Sequence, residues 1–366
     1  MLEARAGRRL DFRGAADFGA RRGRRLGLRV VTDALPLKAL QISDAEGLPP
    51  LPASEARALF ASLRANVARA LRGKDQLIEL SLCALAARGH LLLEDVPGVG
   101  KTTLAHALAR SLDLSFARIQ FTSDLLPGDI TGVSIFDQRN QSFVFKPGPL
   151  FANLILADEI NRTTPRTQSC LLEAMAEGQV SVDGVPRPLP SPFLVLATQN
   201  PHEHAGTYPL PESQLDRFAM RLSVGYPPAE VERALLLGGG TERELANLQP
   251  VADARAVRRL QAAVPGVAVA SEIADYVLAL VAATRASPLV SLGSSPRGAL
   301  SLLRASQARA LFAGRTFVEP DDVKELCVAS LAHRLVLAGS GQSGATDRLA
   351  AERVMRELAE QVPAPE

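Results

Sequence analysis

The sequence predicts a three-layer αβα domain built on a parallel sheet, followed by a smaller domain made of helices. Three short apolar runs, at residues 91–93, 154–157 and 193–197, are separated by segments with helical spacing. Continuous apolar runs are typical of strands that are buried on both faces of a parallel sheet. After the string YPP at residues 226–228, only helical periodicity remains. The predicted order is therefore an α/β domain and then an all-α domain.

Apolar residues at helical spacing mark the flanking helices. They predict two helices before the first strand, within residues 58–71 and 77–85. A last helix carries Ala351, Met355, Leu358 and Val362 on one face. The other predicted helices of the second domain lie near residues 230–237, 254–264, 272–283, 296–312 and 320–333.

Length and composition fit two globular domains. A chain of 366 residues is too long for one compact core, and 47% hydrophobic content is enough to fill two. The net charge of +2 favours no partner class by itself. We expect no membrane span, because no run of about 18 uncharged apolar residues occurs. Three widely spaced cysteines, Cys83, Cys170 and Cys327, predict reduced thiols in a cytoplasmic protein and no zinc site.

Residues 1–52 differ from the rest of the chain. Arginines at positions 8, 9, 21, 22, 24 and 25 lie among glycines and alanines, and the segment ends in the string LPPLP. The composition predicts a disordered arm with a stiff end, and a start codon assigned too early is an alternative. A basic arm that binds nucleic acid or an anionic surface is the other alternative. We place the α/β domain at residues 53–226 and the helical domain at residues 227–366.

The string VPGVGKTT at residues 96–103 follows the first predicted strand and precedes a predicted helix. Glycines let successive N–H groups turn toward a phosphate chain, and the helix start adds positive charge. Lys101 supplies a cation for the β- and γ-phosphates, and Thr102 offers a hydroxyl to Mg²⁺. Asp95 stands where the strict pattern has glycine. We predict that the loop binds ATP, the alternative being a glycine-rich turn without nucleotide.

Two acids and an amide follow the next two predicted strands. Asp158 and Glu159 end the second apolar run, and Asn200 follows the third. Asp158 can hold the water shell of Mg²⁺, while Glu159 can polarise a water molecule for in-line attack. The neutral Asn200 side chain can orient that water without adding charge. Because ligand crevices lie at the carboxyl ends of parallel strands, we expect these endings to converge on one site.

Two arginines complete the candidate site. Arg217, in the string LDRF, lies in a short turn where a guanidinium can stabilise charge on a transferring phosphoryl group. Ser295 and Pro296 predict the N-cap and the first residue of a helix. Arg297 then lies in the first helical turn, where a cation opposes the dipole and suggests a nearby anion. Each arginine alone also fits an ordinary surface or salt-bridge role.

The order of these features resembles that of AAA+ ATPases, from about residue 54 to at least residue 333. Several strings are similar to the MoxR branch in particular. They are LLLEDVPGVGKT at residues 91–102, LPGDITG at residues 126–132, DEINR at residues 158–162, GTYPLP at residues 206–211, QLDRF at residues 214–218 and SPR at residues 295–297. The first 52 residues lie outside the resemblance.

The resemblance implies roles for individual residues. Glu159 activates water, Asn200 is the first sensor, Arg217 is an arginine finger reaching the neighbouring subunit, and Arg297 is the second sensor. Residues 179–190 form a hairpin. The implied metal ligands are Thr102 and Asp158. The implied nucleotide-binding residues are Gly73, Pro97, Gly98, Val99, Gly100, Lys101, Thr102 and Thr103, with Gly73 near adenine.

The resemblance also implies ATP and Mg²⁺ as cofactors, a homo-hexameric ring, and a chaperone-like role in remodelling or maturing partner proteins. The usual clients are proteins with von Willebrand factor A domains or metal-dependent enzymes. The main alternative is an ATP-dependent nucleic-acid motor or regulator that uses the basic arm. A nucleotide-bound scaffold is the third hypothesis, although Glu159 argues against it. His202 and His204 could hold a metal, but their spacing favours a solvated loop.

Overall fold

The computed structural model describes residues 49–96, 98–200, 207–237, 241–339 and 345–365. The helices of the first domain are α1 (Ala53–Ala70), α2 (Asp75–Ala86), α3 (Lys101–Ser111), α4 (Pro127–Thr131), α5 (Pro165–Glu177) and α6 (Glu212–Leu215). Its strands are β1 (His90–Glu94), β2 (Phe116–Gln120), β3 (Gly132–Asp137), β4 (Ser142–Pro147), β5 (Leu154–Asp158), β6 (Gln179–Val182), β7 (Val185–Pro188), β8 (Leu194–Gln199) and β9 (Phe218–Leu222).

A parallel sheet of five strands forms the centre of this domain, in the order β2-β5-β8-β1-β9. The three apolar runs are its inner strands, as predicted. The search for continuous apolar runs did not predict the two outer strands, because an arginine interrupts the apolar residues of each. Arg118 of β2 is exposed, and Arg221 of β9 is about one-tenth exposed. Arg118 is solvated at the edge of the sheet, whereas Arg221 pairs with Glu94 and Glu352 at 3.6 and 3.8 Å.

Alternating residues of the inner strands face two separate apolar clusters. Leu91 and Leu93 pack on one side with α1, α2 and α3, whereas Leu92 packs on the other with α5. Both faces are therefore buried, which explains why these strands lack a polar period. The result is the predicted αβα arrangement.

Two antiparallel hairpins project from the sheet. Strands β3 and β4 pair from Gly132 opposite Pro147 to Asp137 opposite Ser142, and β6 and β7 form the hairpin expected within residues 179–190. Gly132 has a φ of 91°, and a Cβ there would lie 2.3 Å from the carbonyl oxygen of Lys146. Only glycine therefore fits at the open end of the first hairpin, where its two strands begin to pair.

The second domain is helical, with one addition. Its helices are α7 (Ala229–Leu236), α8 (Thr241–Ala246), α9 (Ala254–Ala263), α10 (Ser271–Ala286), α11 (Pro296–Phe312), α12 (Pro320–Leu331) and α13 (Ala345–Gln361). Strands β10 (Val290–Leu292) and β11 (Val336–Leu337) form a short antiparallel pair. Neither that pair nor α8 was predicted, because two to six residues are too few to establish a period. Ser295 caps α11 as predicted, accepting a hydrogen bond from the Gly298 N–H at 3.2 Å.

The helical domain packs directly against the first domain. Leu260, Leu302, Leu326 and Met355 belong to the same apolar cluster as Leu91 and the helices beside it. The proposed boundary at residues 226 and 227 is therefore a change of chain pattern within one continuous core. None of the described helices is both long and apolar enough to span a bilayer.

Of the predicted arm, residues 1–52, the first 48 lie outside the described residues. The last four, residues 49–52, are described and pack on the helical domain. Leu51 is 8% exposed, and its N–H donates to the carbonyl oxygen of Arg259 at 3.3 Å. The Arg259 Nε–H in turn donates to the carbonyl oxygen of Pro49 at 2.9 Å. The stiff end of the arm is thus part of the folded body.

All three cysteines are free thiols. Cys83 and Cys327 are buried, and Cys170 is partly buried. Burial raises the pKa of Cys83 to about 12 and that of Cys327 to about 11. Both thiols are therefore protonated and unreactive at neutral pH.

Candidate functional site

The three strand endings converge, as predicted. Strand β8 lies between β1 and β5, with Glu94 opposite Gln199 and Ala157 opposite Ala197. The segments that follow Glu94, Asp158 and Gln199 therefore leave the sheet at one edge, which we call the carboxyl edge. The phosphate loop, the acidic pair and Asn200 are neighbours there.

The loop between β1 and α3 has the form that a phosphate-binding loop requires. Gly98 has a φ of 84° and Gly100 has a φ of 108°, both in the left-handed region that favours glycine. No atom of the described residues lies within 4 Å of a Cβ built at Gly98, so among them the space above the loop is open. Lys101 begins α3, and its Nζ donates to the carbonyl oxygen of Asp95 at 2.7 Å. Thr102 and Thr103 follow in the first turn, Val99 is partly buried, and Pro97 lies outside the described residues.

Asp95 is turned away from the loop. Its Oδ2 accepts hydrogen bonds from the Ser223 hydroxyl and the Gly225 N–H, both at 2.6 Å, and its Oδ1 accepts from the Val96 N–H at 2.8 Å. Burial alone would raise the pKa of Asp95, but these donors hold it below its ordinary value. The carboxylate therefore ties the loop entrance to the exit of β9, and this replaces the turn that glycine makes in the strict pattern.

The predicted adenine end lies beside the same exit. Gly73 has a φ of 70°, and a Cβ there would lie 2.9 Å from Cδ of Pro228. The Lys74 Nζ donates to the carbonyl oxygens of Gly225 and Tyr226, at 3.0 and 2.6 Å. Residues 73–74 and 225–228 are thereby joined at the point where the chain passes from the sheet into the helical domain.

The acidic pair is coupled to the next strand by a buried hydroxyl. Thr198, 1% exposed, donates to Asp158 Oδ1 at 2.5 Å and accepts from the Glu159 N–H at 2.9 Å. Glu159 itself has a φ of 58°, a strained value for a residue with a side chain. The hydrogen bond from the Glu159 N–H to the Thr198 hydroxyl helps to hold that conformation. Asn200, two residues beyond Thr198, is 8% exposed.

Further partners of the acidic pair come from β2 and from the turn after β5. Arg118 forms a 2.5 Å ion pair with Asp158 Oδ2. Gln120 donates to Glu159 Oε2 at 2.7 Å, and Arg162 pairs with the same oxygen at 3.0 Å. Sequence reasoning missed Arg118 and Gln120 because it did not predict β2. The rule that strand ends carry site residues would have indicated Gln120, which lies opposite Asp158.

Arg217 and Arg297 lie elsewhere. Strand β9 runs parallel to β1 with Phe218 opposite His90, so Arg217 precedes β9 at the amino ends of these strands. A five-residue strand spans roughly 16 Å, and the phosphate loop begins beyond its other end. The Arg217 guanidinium donates to the carbonyl oxygen of Leu172 at 2.7 Å. It borders a 270 Å³ cavity next to α5.

The exposed Arg297 joins Arg217 at this second edge, which we call the arginine edge. Ser295 lies within hydrogen-bonding distance of both carboxylate oxygens of Asp216, at 2.8 and 2.9 Å. Asp216 is thus an anion at the start of α11, bound there by Ser295. The structure brings together the chain segments that carry the two arginines and places Arg217 at the opposite end of the strands from the phosphate loop. Residues 201–206, which include His202 and His204, lie outside the described residues.

Comparisons with known proteins agree with this arrangement. Residues 90–220 match the model of the ATPase family associated with various cellular activities (AAA), and residues 282–358 match the AAA lid domain. YeaC of Bacillus subtilis, an uncharacterised protein, is 47% identical over 82% of this chain and 93% of its own length. Chaperone MoxR1 of Mycobacterium tuberculosis is 41% identical over 88% of this chain and 85% of its own length.

A solved structure agrees as well. A protein from Cytophaga hutchinsonii assigned as an ATPase is 34% identical, with a TM-score of 0.75, over 86% of this chain and 97% of that one. The similarity therefore covers the sheet and the helical lid together. The chain belongs to the MoxR family of AAA+ ATPases.

Proposed function

We propose that this protein hydrolyses ATP and uses the energy to remodel or mature partner proteins. The observation that carries the hydrolytic part is the convergence of the phosphate loop, the acidic pair and Asn200 at the carboxyl edge. These are the parts that in-line phosphoryl transfer to water requires: a phosphate cradle, a carboxylate base and groups that position the water.

The phosphate loop binds the phosphates of the nucleotide, and the turn at Gly73, before α2, lies at the adenine end. The backbone N–H groups of residues 98–103 and the start of α3 surround the phosphates, and the Lys101 ammonium pairs with their terminal oxygens. That ammonium is held over the loop by the carbonyl oxygen of Asp95. Gly73 lets Pro228 pack closely at the proposed adenine end of the site, because any side chain at residue 73 would meet the proline ring.

Thr102 and Asp158 are the residues that would hold Mg²⁺. A hydroxyl and a carboxylate are hard oxygen donors, and both lie at the carboxyl edge, so they fit this cation. When bound, Mg²⁺ neutralises charge on the phosphate oxygens. Thr198 fixes Asp158 Oδ1. Arg118 pairs with Oδ2 of the same carboxylate, so Asp158 would hold the metal ion while remaining paired with Arg118.

Glu159 is the general base. Its carboxylate is 27% exposed, so a water molecule can reach it. Gln120 and Arg162 both hold Oε2, and no described residue forms a hydrogen bond or ion pair with Oε1. Glu159 Oε1 is therefore the oxygen that takes the proton from the attacking water, while the amide of Asn200 orients that water.

Arg217 and Arg297 serve the nucleotide of a neighbouring subunit. The arginine edge lies at the opposite ends of β1 and β9 from Lys101, which supports action between subunits rather than within one. A homo-hexameric ring would set the arginine edge of each subunit against the carboxyl edge of the next. Each active site is then completed only in the assembly.

The chaperone-like part of the proposal draws on the family and on an exposed apolar surface. On the β3–β4 hairpin, Val133, Phe136 and Phe143 are 47%, 49% and 73% exposed. Such a surface suits contact with a protein chain. Family resemblance favours a client with a von Willebrand factor A domain. Nucleic acid remains the alternative client, through the basic arm.

The test is ATP turnover with three variants and two candidate clients. We expect Glu159→Gln to bind ATP but lose turnover by about two orders of magnitude or more, and Lys101→Ala to lose binding. Thr103→Ser is the matched control, because it keeps a hydroxyl in the first turn and should behave like wild type. Near wild-type turnover by Glu159→Gln would contradict the base assignment.

Clients are compared in the same assay. Stimulation by a von Willebrand factor A domain protein, insensitive to salt, would support protein remodelling. Stimulation by DNA or RNA that falls steeply with salt would favour the nucleic-acid alternative instead.

A further inference from the structure

A buried guanidinium from the lid grips the turn that carries Arg217. Arg334 lies in the turn after α12, and its side chain is 2% exposed. Its Nε–H donates to Asp216 Oδ1 at 2.8 Å, and one terminal nitrogen donates to the carbonyl oxygens of Asp216 and Phe218, at 3.2 and 2.7 Å. The other terminal nitrogen donates to the carbonyl oxygen of Ser330. One lid side chain therefore binds both the carboxylate and the backbone on either side of Arg217.

A second lid segment binds the same carboxylate. Ser295 Oγ lies 2.8 and 2.9 Å from the two Asp216 oxygens while it accepts the Gly298 N–H that caps α11. Ser295 precedes Arg297 by two residues, and Asp216 directly precedes Arg217. A single carboxylate thus connects the backbone segments of the two arginines.

The packing at Gly298 permits this connection. A Cβ at Gly298 would lie 2.9 Å from Cδ of Arg334 and 2.2 Å from the hydroxyl of Ser294. Only a residue without a side chain lets Arg334 pass the first turn of α11 and reach Asp216. His333 adds a further contact, because its Nε2–H donates to the carbonyl oxygen of Phe218 at 3.1 Å.

Burial makes it costly to keep the Arg334 guanidinium charged, so its retention at this place calls for a reason other than stability. Desolvation lowers the pKa of Arg334, and the Asp216 carboxylate opposes that shift. A buried ion pair is often no more stabilising than an apolar pair of similar volume, but it fixes geometry through directional bonds. Here the bonds go to the backbone carbonyls of Asp216 and Phe218, on either side of Arg217, and to the Asp216 carboxylate, so they hold the turn in place.

We propose that Arg334 and Asp216 are positioning residues that hold Arg217 and Arg297 in one fixed geometry. The lid and the turn that carries Arg217 then present both guanidiniums together to the nucleotide of the adjacent subunit. This inference rests on the proposed function, since it requires Arg217 to act between subunits. Neither Arg334 nor Asp216 touches the reacting atoms, so the effect of changing them is transmitted through Arg217 and Arg297.

The test uses Arg334→Lys and Asp216→Asn, which keep the size of each side chain but break the fork of hydrogen bonds. We expect kcat to fall roughly 10- to 100-fold, the range for displacing a catalytic group by about 1 Å. ATP affinity should stay within about twofold, because the subunit's own carboxyl edge is unchanged. Asp216→Asn also covers the case in which Arg334→Lys does not fold, since asparagine still accepts a bond from Ser295.

The matched control is Arg315→Lys in the same lid. Arg315 binds both oxygens of Asp322 at 2.7 Å, and the Asp322 side chain is 1% exposed. Among the described residues, its side-chain hydrogen-bond and ion-pair partners are Phe317, Glu319 and Asp322, all within the lid. Arg315→Lys should therefore lower the melting temperature without changing kcat, which separates a loss of stability from a loss of positioning.

Mixed rings identify the subunit that carries the defect. Lys101→Ala subunits have a defective pocket but intact arginines, so mixing them with Arg334→Lys subunits should restore part of the turnover. The inference is overturned if Arg334→Lys and Asp216→Asn keep the kcat of Arg315→Lys, or if rings shown to contain both subunits gain no turnover. Absence of turnover in wild type would instead contradict the proposed function itself.

Discussion

The two edges of the central sheet are built in different ways. At the carboxyl edge, the phosphate loop, Asp158, Glu159 and Asn200 each follow directly from the end of a strand. At the arginine edge, Asp216 is held by Ser295 and Arg334, which are 79 and 118 residues away in the chain. The carboxyl edge is therefore assembled from local strand endings, whereas the arginine edge depends on contacts with the second domain.

The edges also differ in exposure. The side chains of Asp158 and Glu159 are 14% and 27% exposed, so a ligand can reach their carboxylates. Arg334, at the other edge, is 2% exposed and its charge is satisfied inside the protein. The side chains of the first edge are thus accessible to a ligand, whereas the second edge is held by buried bonds. Under the proposed function, damage to the second edge should act on the neighbouring subunit's site.

The largest expected effect comes from removing the guanidinium of Arg217. Arg217→Ala should bind ATP normally and turn over about 10³–10⁵ times more slowly, the usual contribution of such an arginine. Mixing Arg217→Ala with Lys101→Ala should restore part of the activity, because each supplies the edge that the other lacks. The measurement is phosphate release from the mixture, with assembly followed by light scattering.

Two outcomes would break the distinction between the edges. Turnover by Arg217→Ala at the wild-type rate would mean that the arginine edge has no catalytic part. Mixed rings that contain both variants yet show no gain would mean that Arg217 acts within its own subunit. Specific activity that rises with protein concentration in wild type would sharpen the distinction, since it would tie turnover to assembly.

A smaller effect is expected on the pH dependence of stability, through His90 at the amino end of β1. The buried His90 accepts the Val195 N–H at its Nδ1 and donates from Nε2 to the carbonyl oxygen of Met175, both at 3.1 Å. Burial lowers the pKa of His90 from 6.5 to about 4, so the unfolded chain binds a proton more readily. Stability from this group is full above pH 6.5 and falls as the pH drops toward 4, by up to about 3 kcal/mol.

The measurement is the melting temperature between pH 7.5 and pH 4.5 for wild type and for His90→Gln. Glutamine keeps a donor and an acceptor but does not titrate, so the variant should lose less stability on acidification. Equal slopes for both proteins would show that His90 does not contribute. Because His333 is also buried with a lowered pKa, the variant should retain part of the acid sensitivity.

The smallest effect is expected from the arm. Deletion of Met1–Pro50 should leave basal ATP turnover unchanged and shift the melting temperature by no more than about 2 °C, because it leaves Leu51 in place. Leu51→Ala in the full chain is the contrasting variant, and it should be clearly less stable because Leu51 is 8% exposed. A large loss of turnover on deletion would make the arm a third functional region beside the two edges.

Much of the carboxyl edge could be predicted because its signals are local. The string at residues 96–103 places glycines, a lysine and a threonine where one loop needs them, and an apolar run before each polar ending marks a strand. Gln120 and Arg118 escaped the same reasoning because β2 mixes apolar and polar residues. Asp95 was recognised as a departure from the pattern, but its bonds to Ser223 and Gly225 depend on β9, which was not predicted.

The sequence by itself determined the order of the two domains, the phosphate loop and the residues at the ends of the inner strands, because strand period and loop chemistry are properties of contiguous residues. The tertiary structure alone decided which strands are neighbours and in which direction β9 runs. That direction separates Arg217 from Lys101 and places it beside the start of α11. The bonds of Arg334 follow from the packing of the lid against β9, and contacts between residues so far apart in the chain leave no local pattern to find.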